Sequence, residues 1–319
     1  MKLPEYPEFA PIDLSMQDEI TGLLSVLSDG ISEFTFAGLY LFRDTYQYTV
    51  SLLPASCCSS RRGIIVSGEE LTKDGEREHF IMLPHGFPTI SMIDEFFSGF
   101  CGIKNFPEKE AETHRIELER RGYCVTQDRN NFDYIYTRKD LAELSGRKFH
   151  KKRNLVNAFI NNYNYEEKPI IRENRCDLYS VLESWSDDKG GGDYKAAKEA
   201  IDLIDLLNLQ GCITYVDGRP CAYSMGEVYC QGTMFAVHFE KAVGSYKGIY
   251  QFINQSFASM LDENITCINR EQDLGNQGLR QAKMSYRPTG FVRKYRICSS
   301  EFAPCDEIRE EIGEAFTSV

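Results

Sequence analysis

The run Met234-Phe235-Ala236-Val237-His238-Phe239 is apolar at every position but one, as a central strand covered on both faces requires. Downstream, Ile249, Phe252, Ile253, Phe257, Met260 and Leu261 recur at helical spacing and predict a helix with one buried face. Between the two lies a glycine-bearing loop, Val243-Gly244-Ser245-Tyr246-Lys247-Gly248. Ile265 to Ile268 predicts a short strand and Asn276 to Met284 a helix, closed by Tyr286-Arg287-Pro288-Thr289-Gly290-Phe291. Upstream, Cys212 to Val216 and Cys221 to Val228 flank Asp217-Gly218 and read as a hairpin feeding the central strand. Cys176 to Trp185 and Tyr194 to Leu209 read as helices, with Asn164 to Pro169 as connector or strand before them. The glycine tract within Asp187 to Asp193 is a linker, or a loop that gates a slot.

The first half carries a looser pattern of the same kind. Ser15 and Asp18 make a capping-box pattern before Ile20, Leu23, Leu24 and Leu27, and Asp29-Gly30 ends that helix. Phe34 to Val50, Gly63 to Val66 and His79 to Leu83 read as strands, and Thr89 to Phe100 as a helix. Glu108 to Arg121 is charged nearly all round, with Glu117 placed to pair with Arg121, which predicts a solvated lid helix. Tyr123 to Thr126 and Phe132 to Tyr136 read as paired strands. The division expected is residues 1–163 and 164–319, a tandem repeat of element order with no repeat visible residue by residue.

Composition narrows the class. A chain of 319 residues, 42% of them hydrophobic, can bury two ordinary cores. It offers no stretch of membrane-spanning length and no signal-peptide core, so a cytoplasmic protein without an integral membrane segment is expected. The eleven cysteines lack metal-ligand spacing and read as reduced thiols; Cys57 and Cys58, adjacent in a polar loop, are the pair open to oxidation, and no metal site is expected. A net charge of −12 argues against nucleic-acid binding through bulk charge. One segment departs from it: Lys148, Lys151, Lys152 and Arg153 crowd the start of a helix whose Leu155, Val156, Phe159, Ile160 and Tyr163 share a face. Cations there oppose the helix dipole, so the run is either a solvated face or a contact for phosphate on a cofactor, a tRNA or a lipid.

The N-terminal turn of the helix after Gly248 presents backbone N–H groups suited to a diphosphate. His238, Phe239, Lys241, Val243, Gly244, Ser245, Tyr246, Lys247, Gly248 and Ile249 are the candidate cofactor-binding residues, with Arg280 and Lys283 at adjacent-turn spacing on the last helix. The order of strand, loop, helix, strand and helix resembles the acyl-donor half of the GNAT acyltransferase superfamily. That resemblance implies a donor's pantetheine arm between two splayed strands, here Phe235 to Phe239 and Ile265 to Ile268, and Tyr286 as general acid for the leaving thiolate. FTFAGLYLFRDTY from Phe34, GRKFHKKRNLVNAF from Gly146 and NREQDLGNQGLRQAKMSYRP from Asn269 are similar to an uncharacterised bacterial family allied to the C-terminal domain of phosphatidylglycerol lysyltransferase. It implies an α/β (α+β) fold of two tandem GNAT-like domains, each a mixed, mostly antiparallel sheet flanked by helices, with the active slot in the second.

The chemistry expected is attack by an acceptor amine or hydroxyl on a thioester or ester carbonyl. Glu240, Glu271 and Asp273 are the carboxylates placed beyond the two strands to serve as base or to bind a cationic acceptor. The donor is acyl-CoA, or alternatively an aminoacyl-tRNA, with a small-molecule, lipid or peptide acceptor. A binding protein of the same fold without catalysis is the third reading.

Overall fold

The computed structural model describes residues 2–54, 62–71, 75–189 and 193–299. They form two seven-stranded sheets. The first runs β1 (Ala10–Pro11), β2 (Thr49–Leu52), β3 (Ile64–Leu71), β4 (Arg77–Met82), β5 (Gly102–Pro107), β14 (Lys294–Ser299), β6 (Tyr123–Gln127). The second runs β8 (Tyr165–Pro169), β9 (Gln210–Val216), β10 (Arg219–Tyr229), β11 (Met234–Ala242), β12 (Cys267–Asn269), β7 (Asp133–Thr137), β13 (Gly290–Val292). Each sheet holds one parallel pair, β4 with β5 and β11 with β12, among antiparallel neighbours. Two mixed, mostly antiparallel sheets flanked by helices are present, as the resemblance implies.

In both sheets the sixth place is filled from the other half of the chain: β14 inserts between β5 and β6, and β7 between β12 and β13. The expected pairing of Tyr123 to Thr126 with Phe132 to Tyr136 is therefore corrected. Both are strands, but a single turn at Arg129–Asn131 carries the chain from one sheet to the other. A division at residue 163 does not follow the sheets, because 133–137 belongs to the second and 294–299 to the first. The exchanged strands meet where they begin. Lys294, with no exposed surface, donates to Asp133 Oδ1 (2.7 Å) and to Glu33, while Asp133 also accepts from Ser32 N (2.9 Å) and Asn269 Nδ2 (3.1 Å). A buried cation is tolerable only with such partners.

Three cores follow from this layering. Ile20, Leu39 and Val66 pack with Ile201, Tyr223 and Phe239 in a core shared by the two halves. Phe235, Val237, Phe252 and Phe257 pack between the second sheet and helices Ile249–Met260 and His150–Asn162. Ile81, Phe96, Ile103 and Leu118 cover the far side of the first sheet.

Several local expectations change. Phe34 to Val50 is helical over Phe36–Leu41 and Arg43–Tyr46, because Thr35 caps the first turn by accepting from Gly38 N (2.9 Å); only Thr49–Leu52 is strand. Asp13, rather than Ser15, caps the first helical turn. The α-helix there ends at Leu24, short of Asp29-Gly30. Glu108–Arg120 is not a solvated lid, since Ala111 and Leu118 bury against the first sheet and the Arg115 guanidinium donates to Val125 O (2.7 Å). The Glu117–Arg121 pair forms at 2.8 Å. Helix Tyr194–Asp202 is shorter than expected, and helix Arg175–Lys189 extends beyond the expected end at Trp185. Cys57, Cys58 and the three consecutive glycines lie outside the described residues.

Candidate functional site

β11 and β12 pair over three residues only, Met234↔Cys267 to Ala236↔Asn269. Beyond Asn269 the chain stays bonded to β7, through Arg270 N to Tyr134 O (3.0 Å) and Tyr134 N to Glu271 O (3.3 Å), while β11 continues alone to Ala242. Glu271 turns the backbone with a left-handed φ of 55°. The two strands thus part, and the opening is lined by what each carries past the fork.

Which residues β11 presents there is set by a bulge. The ladder with β10 slips between Met225 and Gly226, so that Met225 faces Phe239 but Gly226 faces Val237. Phe235 and Val237 point to the helix Ile249–Met260 side, whereas Phe239 points into the core shared by the two halves. Lys241 follows Phe239: it is buried, bonded to Asp193 and set over the Trp185 ring at 3.5 Å. Phe239 and Lys241 are therefore removed from the expected cofactor slot, and Glu240 takes their place. Glu240 Oε2 accepts from the Arg270 guanidinium (2.8 Å); its Oε1 is buried and has no hydrogen-bond partner among the described residues.

Arg270 also lies 4.9 Å from the centroid of Tyr286, and Lys152 Nζ stands 4.0 Å from that same ring. Burial, followed by repulsion from Arg270, lowers Lys152 to about 8. Burial pushes the Tyr286 phenol well up, against the pull of Arg270, so it is a protonated donor at neutral pH. Glu240, Arg270, Tyr286 and Lys152 form one cluster at the fork. Arg270 is the member that sequence reasoning missed; its signal was its place two residues beyond the strand Ile265 to Ile268.

His238 is buried and bridges the two strands past the fork. Its Nδ1 meets Glu271 (2.7 Å) and its Nε2 meets Glu227 (2.9 Å). Burial alone would lower its pKa; hydrogen bonds to the two carboxylates prevail and raise it to about 10. Glu271 is thus held by an imidazolium. Asp273 is fully buried, accepting from Arg280, Arg129 and Tyr134, the last at 2.5 Å, and is closed to acid–base work. Arg280 is committed to Asp273 and to Asn130 Oδ1 (2.7 Å). Lys283 donates to the carbonyls of Arg270 (2.6 Å), Glu271 (3.0 Å) and Gln272 (2.5 Å), pinning the turn that parts the strands.

The loop Val243 to Ile249 is partly committed to the protein. Val243 N donates to Cys221 O (2.9 Å), Lys247 N to the Tyr163 hydroxyl (3.1 Å) and Ile249 N to Tyr246 O (3.3 Å). Tyr246 stacks edge-on to Tyr163, while Gly244 and Ser245 are exposed. Gly248, at φ 86°, sits so close to helix His150–Asn162 that a Cβ would collide with Leu155 O. The basic run also divides. Arg153 donates to the carbonyls of Leu144 and Gly146, and Lys148 pairs with Asp140 (2.8 Å); Lys151 is exposed, and Lys152 turns to the cluster. These partners offset the charge at that helix start.

No helix among the described residues is long and apolar enough to cross a membrane. A crystal structure of a conserved protein of unknown function from Bacteroides thetaiotaomicron superposes with a TM-score of 0.79 at 28% identity, covering 93% of this chain and 100% of that one. L-PGS from Bacillus licheniformis shares the fold at a TM-score of 0.54 and 15% identity, over 94% of each chain. An uncharacterized protein of Mycoplasmoides gallisepticum is 26% identical over 240 residues, 71% of this chain and 73% of its own. Residues 103–298 match the family model described as phosphatidylglycerol lysyltransferase, C-terminal. That stretch includes the exchanged strand β7, the basic helix, the fork and Tyr286, and the chain belongs to this family.

Proposed function

We propose that this chain transfers an aminoacyl group from an aminoacyl-tRNA to an amine or hydroxyl of a small-molecule, lipid or peptide acceptor, at the fork between β11 and β12. One observation carries the reading: a carboxylate with a buried oxygen that has no partner among the described residues (Glu240), a fixed cation (Arg270) and a protonated phenol (Tyr286) meet where the strands part. Membership of a family described by a lysyltransferase supports group transfer.

The acceptor's nucleophile attacks the ester carbonyl carbon, and Glu240 takes its proton as the new bond forms. Arg270 offsets the negative charge that develops on the carbonyl oxygen. The ester C–O bond then breaks, and its leaving oxygen takes the proton of the Tyr286 hydroxyl. Lys152, beside the same ring, draws a phosphate-bearing donor toward the fork. Acyl-CoA is the competing donor; the commitments of Lys247 N, Ile249 N and Gly248 to the protein favour the tRNA reading over it.

The test is turnover of labelled aminoacyl-tRNAs and acyl-CoAs by the purified chain with amine and hydroxyl acceptors. Transfer from an aminoacyl-tRNA is expected, with Glu240→Gln and Tyr286→Phe each slowing it by about 10²–10⁴-fold while donor binding persists. Binding should weaken steeply with salt. Consumption of acyl-CoA alone would shift the donor, and unaltered rates in both variants would remove the cluster from the reaction. If neither donor is consumed by folded protein, the chain is a binding protein of this fold.

A further inference from the structure

β4 and β5 repeat in the first sheet the arrangement of β11 and β12. They pair in parallel at Phe80↔Gly102 and Ile81↔Ile103, after which Asn105 takes a left-handed φ of 50°, as Glu271 does beyond β12. In the second sheet the fork is laced by His238–Glu271 and Arg270–Glu240. In the first, a cavity of about 440 Å³ lies between the turn after β4 and the start of helix Glu108–Arg120. That volume is in the range of small-molecule sites, roughly 300–1,000 Å³.

Its walls are mixed, with Leu27, Leu53 and Phe87 on the apolar side and two carboxylates, Asp29 and Glu110, on the polar side. Asp29 Oδ1 accepts from Ile31 N (3.0 Å) and burial raises its pKa to about 6, while Glu110 lies 3.6 Å from His114 Nε2. Gly86 makes room for Glu110: at φ 73°, its missing Cβ would lie 2.6 Å from Glu110 Oε2. His85, also in the wall, is tied by Nε2 to Leu23 O (3.0 Å), and burial lowers its pKa, so it adds no positive charge at neutral pH. Lys109 is the cation among the described lining residues, against two carboxylates. The turn itself contains Pro84 and Pro88, which have no N–H to offer an anion.

We infer that this cavity is a second ligand site, separate from the reaction centre, and that it takes an apolar amine: a ring or branched chain against Leu27, Leu53 and Phe87, with its protonated nitrogen at Asp29 and Glu110. An anionic or nucleotide ligand is disfavoured by the same carboxylates and by the prolines.

Calorimetry and chemical-shift mapping on the full chain with 2-phenylethylamine, 2-phenylethanol and phenylacetate test this. The amine is expected to bind, the alcohol about tenfold more weakly, as befits loss of a charge-assisted contact, and the acid not measurably. Glu110→Gln, which keeps the side chain's shape, should lower amine affinity about tenfold, and Leu27→Trp should abolish it by filling the cavity. Circular dichroism checks that each variant is folded. Equal binding of amine and alcohol, amine affinity unchanged in Glu110→Gln, or no binding of any probe by the folded wild-type chain would each overturn the inference.

Discussion

His238 shows how a residue conspicuous in the sequence acquires its meaning from partners far along the chain. It was legible as the lone polar group in an apolar strand; Glu227 and Glu271, which surround it, were not. Its pKa of about 10 in the fold lies above its ordinary 6.5, so its contribution to stability is fully present below about 6.5 and is lost as pH rises through about 10. Urea midpoints measured from pH 6 to pH 10 should therefore fall in the native chain, and fall less in His238→Phe. That variant also removes the ion-pair partner of two part-buried carboxylates and should cost about 3–5 kcal/mol at neutral pH. Lys294→Met acts by the same logic on Asp133 and Glu33, and chemical denaturation should show a loss of about 3–5 kcal/mol, partly recovered by adding Asp133→Asn. Asp273, Arg280 and Lys283, by contrast, carried the residue types of a reaction centre and serve to hold the turn after β12. Nothing in residue type separates the two uses.

The elements themselves were more readable than their faces. The central strand, the hairpin before it, the helix after Gly248 and the final helix all lie close to where hydrophobic spacing places them. Asp217 and Gly218 take the paired positive φ of 49° and 75° that a tight hairpin demands. What spacing could not show is the bulge opposite Gly226, which reverses the alternation of β11 and exchanges Phe239 and Lys241 for Glu240 at the fork. A Cβ on Gly226 would collide with Ala236 O. Gly226→Ala should accordingly cost about 1–3 kcal/mol in denaturation and lower transfer activity beyond that loss, because the slip moves Glu240. Gly248→Ala should loosen helix Ile249–Met260 from Leu155, visible as faster amide exchange in both helices.

At the scale of the whole molecule the decisive feature is the exchange of β7 and β14. Each sheet lacks its sixth strand unless the other half supplies it, and the Asp133–Lys294 pair ties the two insertions together. Residues 1–163 and 164–319, produced apart, should each give poorly dispersed NMR spectra, since each would leave one sheet interrupted and expose part of the shared core. Mixed or co-expressed, they should regain the dispersion and the single cooperative unfolding transition of the intact chain. Fragments that fold independently would show that the exchanged strands are dispensable.

Spacing of apolar residues is a local property, and it determined most of the strands and helices, including the strand, helix, strand and helix order of the second half. The two cores expected from chain length became three, because each sheet buries its faces separately. Local capping already defeated it at Thr35, where aromatic residues form helix instead of strand. Sheet membership, the bulge and the pairing of ionisable groups depend on contacts between residues remote in the chain, which no periodicity records. Tertiary structure alone therefore decided that Glu240, Arg270, Tyr286 and Lys152 share one opening. It also decided that neighbouring charges of the same type were consumed in holding that opening apart.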